Sequence, residues 1–121
     1  MDKELLDFIQ TSFKSVWALE LVMFLRGHRE RGWTEQELVL ELRGSLPAVS
    51  QGLKALSNAG LVTTDADRLF RYAPASPVLD RLAEKLEEAH RDKPFAVHRA
   101  ILTAPNEKLY TLADAFKLKR D

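Results

Sequence analysis

Residues 45–62, with the sequence SLPAVSQGLKALSNAGLV, decide the fold of this chain. Ser45 is a residue type that commonly caps the start of a helix. The positions that follow include apolar residues at helical spacing: Val49, Leu53 and Leu56. Gly60 stands where a helix commonly ends in a left-handed residue, and the apolar pair after it would begin a strand. The stretch therefore predicts a helix over about residues 45–59 that runs directly into a β-hairpin.

The segments on either side have equally local signals. Thr34 and Glu37 have the spacing of a capping box, in which each side chain accepts a hydrogen bond from the other residue's backbone N–H. Gly44 is expected to end the helix that they begin. The two helices are then separated by the tight turn of a helix-turn-helix. Beyond the second helix, residues 61–64 and 69–72 predict a hairpin around a short polar loop.

Two helices are predicted before this unit. An apolar stripe predicts a first helix, and Ser15 can cap a second that extends to about Arg26. The second helix is apolar around nearly its whole circumference. It must therefore be covered by the core together with the first helix, the C-terminal helices or a second subunit.

The C-terminal third also predicts helices. Ser76 marks the start of one, Pro94 breaks it, and a shorter helix over residues 95–102 follows. Beyond Pro105, a last apolar stripe consists of Leu109, Leu112, Ala113 and Phe116. The chain as a whole is thus predicted to be mostly α with a small β-hairpin.

Composition restricts the classes of function. Eighteen basic and eighteen acidic residues cancel, so the chain lacks the excess of positive charge typical of many nucleic-acid-binding proteins. It has no cysteine, which excludes disulfides and thiolate metal sites and agrees with a reducing compartment. The longest apolar run, residues 16–25, is interrupted by Glu20 and is too short to span a membrane. We therefore expect a cytoplasmic protein that does not associate with a membrane.

The order helix, helix, tight turn, helix and hairpin is that of a winged helix-turn-helix. Residues 49–62 resemble the recognition helix and first wing strand of MarR-type and ArsR-type transcriptional regulators, with their pattern V-S-x-x-L-x-x-L-x-x-A-G-L-V. The resemblance covers residues 16–73. It implies a winged helix-turn-helix domain over residues 1–75 and a C-terminal helical segment over residues 76–121 for packing or dimerisation. It also implies a homodimer that binds double-stranded DNA and regulates transcription.

Carried over by position, the resemblance assigns a groove-facing surface to the recognition helix. The residues expected there are Ser45, Leu46, Ala48, Ser50, Gln51 and Gly52. Gln51 alone has the paired donor and acceptor suited to adenine, and Lys54 is expected near a phosphate. Arg68 and Arg71 in the hairpin would contact phosphates or a narrow minor groove, although two aspartates of the same loop oppose this. The predicted DNA-binding residues are therefore Ser45, Ala48, Ser50, Gln51, Lys54, Arg68 and Arg71.

Two alternative functions stay open at this point. The predicted outward face includes Leu46, Ala48 and Gly52 and is less polar than a base-reading surface usually is. Together with the absence of net charge, this favours a winged helix used as a protein-protein interaction module. A ligand-gated DNA-binding regulator with a pocket between subunits is a further alternative, for which no residue identifies a ligand.

Signals for catalysis or metal binding are weak. No serine, histidine or acidic residue comes with a catalytic motif, and the chain has no glycine-rich phosphate loop. We therefore expect neither an enzyme nor a cofactor. His90 and His98 flank Asp92, but Pro94 disrupts any regular helical spacing of ligands. Surface histidines are expected there rather than a metal site.

Overall fold

Polar caps and helix-breaking residues mark the ends of the helices in the computed structural model, which describes residues 2–102. In chain order the elements are α1 (Lys3–Ser12), α2 (Val16–Gly27), α3 (Glu35–Leu42), α4 (Leu46–Asn58), β1 (Val62–Thr64), β2 (Phe70–Tyr72), α5 (Pro77–Asp92) and α6 (Pro94–Leu102). The described part is therefore mostly helical with one small antiparallel sheet, as the sequence predicts. The helix expected over about residues 109–116 lies outside the described residues.

The helices α1 to α5 each begin at a side chain that accepts a backbone N–H. These capping residues are Asp2, Ser15, Thr34, Ser45 and Ser76. Thr34 Oγ1 accepts from the Glu37 N–H at 3.1 Å, and the Glu37 carboxylate accepts from the Thr34 N–H at 2.9 Å. This pair confirms the predicted capping box. The hydrogen bond from the Thr34 backbone is the main cause that holds the pKa of Glu37 below its usual value, and the hydrogen bond from the Arg31 side chain is the next.

Helix α3 ends just before Gly44, as the sequence predicts. The left-handed residue at this end is Arg43, with φ of 53°. Gly44 follows it and donates its N–H to the Val39 carbonyl at 3.1 Å. A Cβ at Gly44 would lie 2.8 Å from the Trp17 ring. The glycine is thus required by the close approach of an aromatic ring rather than by its own φ.

The end of α4 confirms the predicted stop. Gly60 has φ of +79°, the left-handed conformation that glycine adopts most easily. The N–H of Leu61 bonds to the Leu56 carbonyl at 3.0 Å, and the N–H of Gly60 bonds to the Ser57 carbonyl at 3.1 Å. These two bonds define a Schellman motif. The chain therefore leaves α4 in a defined direction and enters β1 at once.

The hairpin is fastened at its base and at its tip. Val62 pairs with Tyr72 and Thr64 with Phe70, and an isolated bridge joins Phe70 to Trp33. Trp33 exchanges both backbone hydrogen bonds with Phe70, at 2.8 and 2.7 Å. In the loop, the Asp65 carboxylate accepts the N–H groups of residues 67 and 69 at 2.9 and 3.0 Å. The segment before α3 thus adds a one-residue third strand to the sheet.

Helix α2 lies at the centre of the core and packs against α3, α4, α6 and β2. Neighbours from the same chain therefore cover most of its apolar circumference, and it does not need a second subunit for this. Buried residues of α5 and α6 belong to the same hydrophobic cluster as those of α1 to α4.

Among the described helices, none alone is long and apolar enough to cross a membrane. The pair α1 and α2 together reach the required length and apolar composition, but the two helices are bent by 107° relative to each other.

One buried cation connects α2 to α5 and to the hairpin. The Arg26 guanidinium lies 2.5 Å from the Glu87 carboxylate and 3.9 Å from that of Asp80, and its carbon is 5.4 Å from the centre of the Tyr72 ring. The Tyr72 hydroxyl donates to Asp80 at 2.7 Å. The pKa of Tyr72 is raised to about 12, mainly by burial of the hydroxyl and next by this hydrogen bond to Asp80. A polar network thus closes one side of the otherwise apolar core.

Candidate nucleic-acid interface

Helix α4 has one apolar face and one polar face. The buried face consists of Val49, Gly52, Leu53 and Leu56. The exposed residues of the helix are Leu46, Pro47, Ser50, Gln51, Lys54, Ser57 and Asn58. No residue of α4 is acidic. The exposed face therefore offers hydroxyl, amide and ammonium groups, which suit an anionic, hydrogen-bonding partner.

The predicted residues of this helix are brought together in part. Ser50, Gln51 and Lys54 are exposed within one helical turn of one another. The Ser45 hydroxyl accepts the Ala48 N–H at 3.3 Å, so its oxygen is used as an N-cap while its own proton stays available to a partner. Ala48 is half-buried and has only a methyl group to present. The hydrogen-bonding capacity of α4 thus lies mainly in the turn from Ser50 to Lys54.

The expectation that Gly52 faces outward was wrong. Gly52 is buried against α2, and a Cβ there would lie 2.5 Å from Leu21 Cδ1 and 3.7 Å from the Ala18 Cα. A glycine at this position lets α4 approach α2 closely. It follows that Gly52 takes no part in the outward surface, which is more polar than the sequence suggested.

A groove of about 320 Å³ lies between the C-terminal end of α1 and the exposed face of α4. Gln51 and Lys54 line it from α4, and Lys14 lines it from the segment after α1. Sequence reasoning missed Thr11, Lys14 and Asn58 as members of this surface. The proximity of Thr11 and Lys14 to Gln51 comes from how the end of α1 packs in the folded chain, so no motif marks them. Asn58 lies on α4 itself, seven residues after Gln51, and helical spacing could have found it.

The two hairpin arginines have different surroundings. Arg68 is exposed at the tip with φ of 62°, and its N–H bonds to the Asp65 carbonyl at 3.0 Å. Arg71 pairs with Thr63 in the sheet, and one of its guanidinium nitrogens would lie 3.2 Å from a Cβ placed on Gly32. Asp65 turns its carboxylate towards the loop backbone, and Asp67 is exposed beside it. Both carry a negative charge that opposes an anionic partner at the tip.

The cations on these elements are not neutralised internally. Within residues 2–102, Lys14, Lys54, Arg68 and Arg71 take part in no ion pair. By contrast, Arg26, Arg31 and Lys85 are paired with carboxylates elsewhere in the fold. Unpaired positive side chains therefore lie on α4, the adjoining segment and the hairpin, and within residues 2–102 the same holds for Arg29, Arg43, Arg81 and Lys93.

Two large apolar side chains are exposed on either side of the α3–α4 turn. Leu40 is 77% exposed and Leu46 is 50% exposed. A groove of about 460 Å³ lies on the other side of the turn, lined by Val16, Trp17, Glu20, Glu41, Leu42 and Arg43. Because Trp17 lines this groove, its side chain is half-buried rather than fully enclosed in the core. This end of the helix pair is more apolar than the face of α4.

Comparisons with known proteins found no relative of this chain. The chain matches no protein-family model, no curated protein and no solved structure. The geometry described above is therefore what bears on its function.

Proposed function

We propose that this chain is a winged helix-turn-helix protein that binds double-stranded DNA and regulates transcription. In this proposal α3 and α4 form the helix-turn-helix, α4 enters the major groove, and the hairpin is the wing. The observation that carries the proposal is the exposed face of α4, which has hydrogen-bonding side chains and one lysine but no carboxylate. Such a face can approach phosphates without repulsion.

The roles follow from position. Gln51 reads a base edge, with Ser50 beside it. Lys54 and Lys14 border one groove and are free of ion pairs, so they bind phosphates on one side of α4. Arg68 binds a phosphate or a narrow minor groove from the tip of the wing. With few groups that read bases directly, DNA shape supplies part of the specificity.

A homodimer completes the proposal. Phe95 and Leu102 on α6 are 83% and 72% exposed, and Val78 on α5 is 47% exposed. Apolar side chains of this size at the surface favour burial against a partner. Two copies related by a two-fold axis would place two α4 helices in successive major grooves, about 34 Å apart.

The test is selection of bound sequences from a random duplex library at low salt, with the full chain. We expect enrichment of a site, with two half-sites about one helical turn apart if the dimer is correct. Affinity measured by fluorescence anisotropy should fall steeply with salt. Lys54→Ala should reduce the slope of log affinity against log salt by about 1. The matched control, Arg91→Ala, removes an exposed cation on α5 and should leave the slope unchanged.

Two further variants distinguish recognition of bases from binding of the phosphate backbone. Gln51→Ala should relax the preferred base at one position, a discrimination of about 1–3 kcal/mol. Arg68→Ala should weaken binding to all sequences alike. Unchanged binding of duplex DNA by both variants would contradict the assigned roles, whereas absence of any enrichment or salt dependence would contradict DNA binding itself.

Exposure of Leu40 and Leu46 favours a second candidate, a winged helix that binds another protein through the α3–α4 turn. Binding through this apolar surface should depend little on salt. Leu40→Ser, on α3 and outside the proposed groove-facing surface, should weaken it strongly while leaving a DNA complex of the first kind almost unaffected. The salt series and this variant together distinguish the two functions.

A further inference from the structure

Three metal-ligating side chains from three different helices meet beside the core. Glu20 of α2, His90 of α5 and His98 of α6 each have a ligand atom within 4.8 Å of the others. The two imidazole rings have centres 5.6 Å apart and are tilted by 39°. Pro94 breaks regular helical spacing, as the sequence indicates, but the break also lets α6 pack back on α5. The expected surface histidines are therefore half-buried and face one another.

Within residues 2–102, the polar atoms of this cluster have no hydrogen-bond or ion-pair partner. His98 Nε2 is buried and has no hydrogen-bond partner in the described part of the chain. Glu20 is the charged residue within the apolar run 16–25, and no ion pair joins it to a cation of residues 2–102. Buried polar groups are usually satisfied, so an orphan imidazole nitrogen beside an unpaired carboxylate indicates a missing partner. A cation that accepts lone pairs from both groups would satisfy the imidazole nitrogen and the carboxylate together.

From this geometry we infer that Glu20, His90 and His98 form a binding site for a divalent transition metal of the zinc class. Two imidazoles and one carboxylate are a donor set that Zn²⁺ takes, with a fourth position left to water or another ligand. Ligand atoms of a tetrahedral zinc site lie about 3.3 Å apart, so rotamer changes of roughly an ångström would close the cluster around the ion. The chain has no cysteine to compete for the metal.

Metal at this site would join α2 to α5 and α6. Helix α2 also packs on α4 through Gly52, so the ion would stabilise the elements behind the proposed DNA-binding face. The site does not rest on that proposed function, because none of its ligands belongs to α4 or the hairpin. Failure of DNA binding and failure of metal binding are therefore separate results.

The test is titration of the tag-free, full-length, metal-free chain with Zn²⁺ in competition with a chromophoric chelator. We expect one ion per chain and a melting temperature that rises with Zn²⁺ concentration, because an ion that binds the folded state stabilises it. Co²⁺ in place of Zn²⁺ should show the visible absorption of a four-coordinate site. Absence of Zn²⁺ binding by the parent chain would overturn the inference.

Substitutions identify the ligands. Glu20→Gln, His90→Gln and His98→Gln should each weaken Zn²⁺ affinity by at least about 100-fold, since changes to groups that merely support a ligand already cost 10–100-fold. The control is His28→Gln, which removes the remaining histidine of the chain, exposed on the turn after α2, and should bind as the parent does.

Circular dichroism of the metal-free variants checks that each is folded. If a histidine variant fails to fold, the Zn²⁺ affinity of Glu20→Gln and the Co²⁺ spectrum of the parent still test whether the metal binds at this cluster. Equal Zn²⁺ binding by the parent and Glu20→Gln, or loss of binding in His28→Gln, would also overturn the assignment.

Discussion

At the scale of single residues, Tyr72 shows how burial changes chemistry in this fold. Its ring lies under the Arg26 guanidinium, and its hydroxyl donates to Asp80 at 2.7 Å. Burial and the negative charge of Asp80 both disfavour the phenolate. They raise the pKa of Tyr72 from 10.0 to about 12, although the nearby arginine acts in the opposite direction.

This shift predicts a loss of stability in alkali. The folded state keeps the Tyr72 proton at pH values where the unfolded chain releases it, so this contribution is full below pH 10.0 and is lost as the pH rises towards about 12. Urea unfolding across that window should show a falling free energy of unfolding, and Tyr72→Phe should flatten the fall. The phenolate absorbance that is lost in Tyr72→Phe should titrate well above pH 10. Titration of that absorbance near pH 10 would contradict the assignment.

At the scale of elements, α4 serves two surfaces that require different residues. Its inward face needs Gly52, where Leu21 leaves no room for a Cβ, and its outward face carries Gln51 and Lys54. Adjacent residues in the chain thus perform unrelated tasks. The close approach of α2 and α4 is what a substitution at Gly52 would disturb.

Gly52→Ala tests that approach. Alanine favours the helix by about 1 kcal/mol over glycine, but overpacking a buried site costs about 1–3 kcal/mol. We expect a net loss of about 1 kcal/mol in the free energy of unfolding, measured with urea. The control Ser57→Ala, exposed on the same helix, should be neutral or slightly stabilising. In a Leu21→Val background the cost of Gly52→Ala should disappear, and a cost that persists there would exclude contact with Leu21 as its cause.

The sequence predicted those features of the elements that depend on neighbours in the chain. The capping box at Thr34, the stop at Gly60 and the break at Pro94 are set by local hydrogen bonds and steric limits, and the structure has all of them. Gly52 was misjudged because it was placed by the family resemblance, although it lies three residues after Val49 and four before Leu56, the spacing of the buried face. Lys14 was missed as part of the α4 surface because its place there depends on how the end of α1 packs in the folded chain.

At the scale of the whole molecule, Arg26 holds three elements together. It projects from α2 to carboxylates on α5 and to the face of an aromatic ring on β2. Sequence periodicity could not find this network, because Arg26 is separated from its partners by dozens of positions and shares no motif with them. Glu20 is likewise far in sequence from His90 and His98, and it meets them only after the helices have packed.

Arg26→Ala should lower the free energy of unfolding by about 2 kcal/mol. Breaking a fully buried ion pair costs about 3–5 kcal/mol, but Asp80 and Glu87 are 49% and 40% exposed and regain water when the arginine is lost. Urea unfolding measures the loss. Arg91→Ala, whose 68%-exposed side chain pairs with Asp92 at the surface, should change stability by less than about 0.5 kcal/mol. Equal effects of the two substitutions would refute the role of Arg26.

The closure of the hairpin has a consequence for how this fold can diversify. Backbone bonds from residues 73 and 75 to Leu61 and Gly60 tie the exit of the hairpin to the end of α4, and the pairing with Trp33 anchors β2 from the other side. The loop around Asp65 lies beyond these anchors. Lengthening such a loop is inexpensive, about 0.6 kcal/mol for each doubling. Insertions there would alter how far the hairpin reaches without altering the framework, so the tip can change in length while α4 keeps its place.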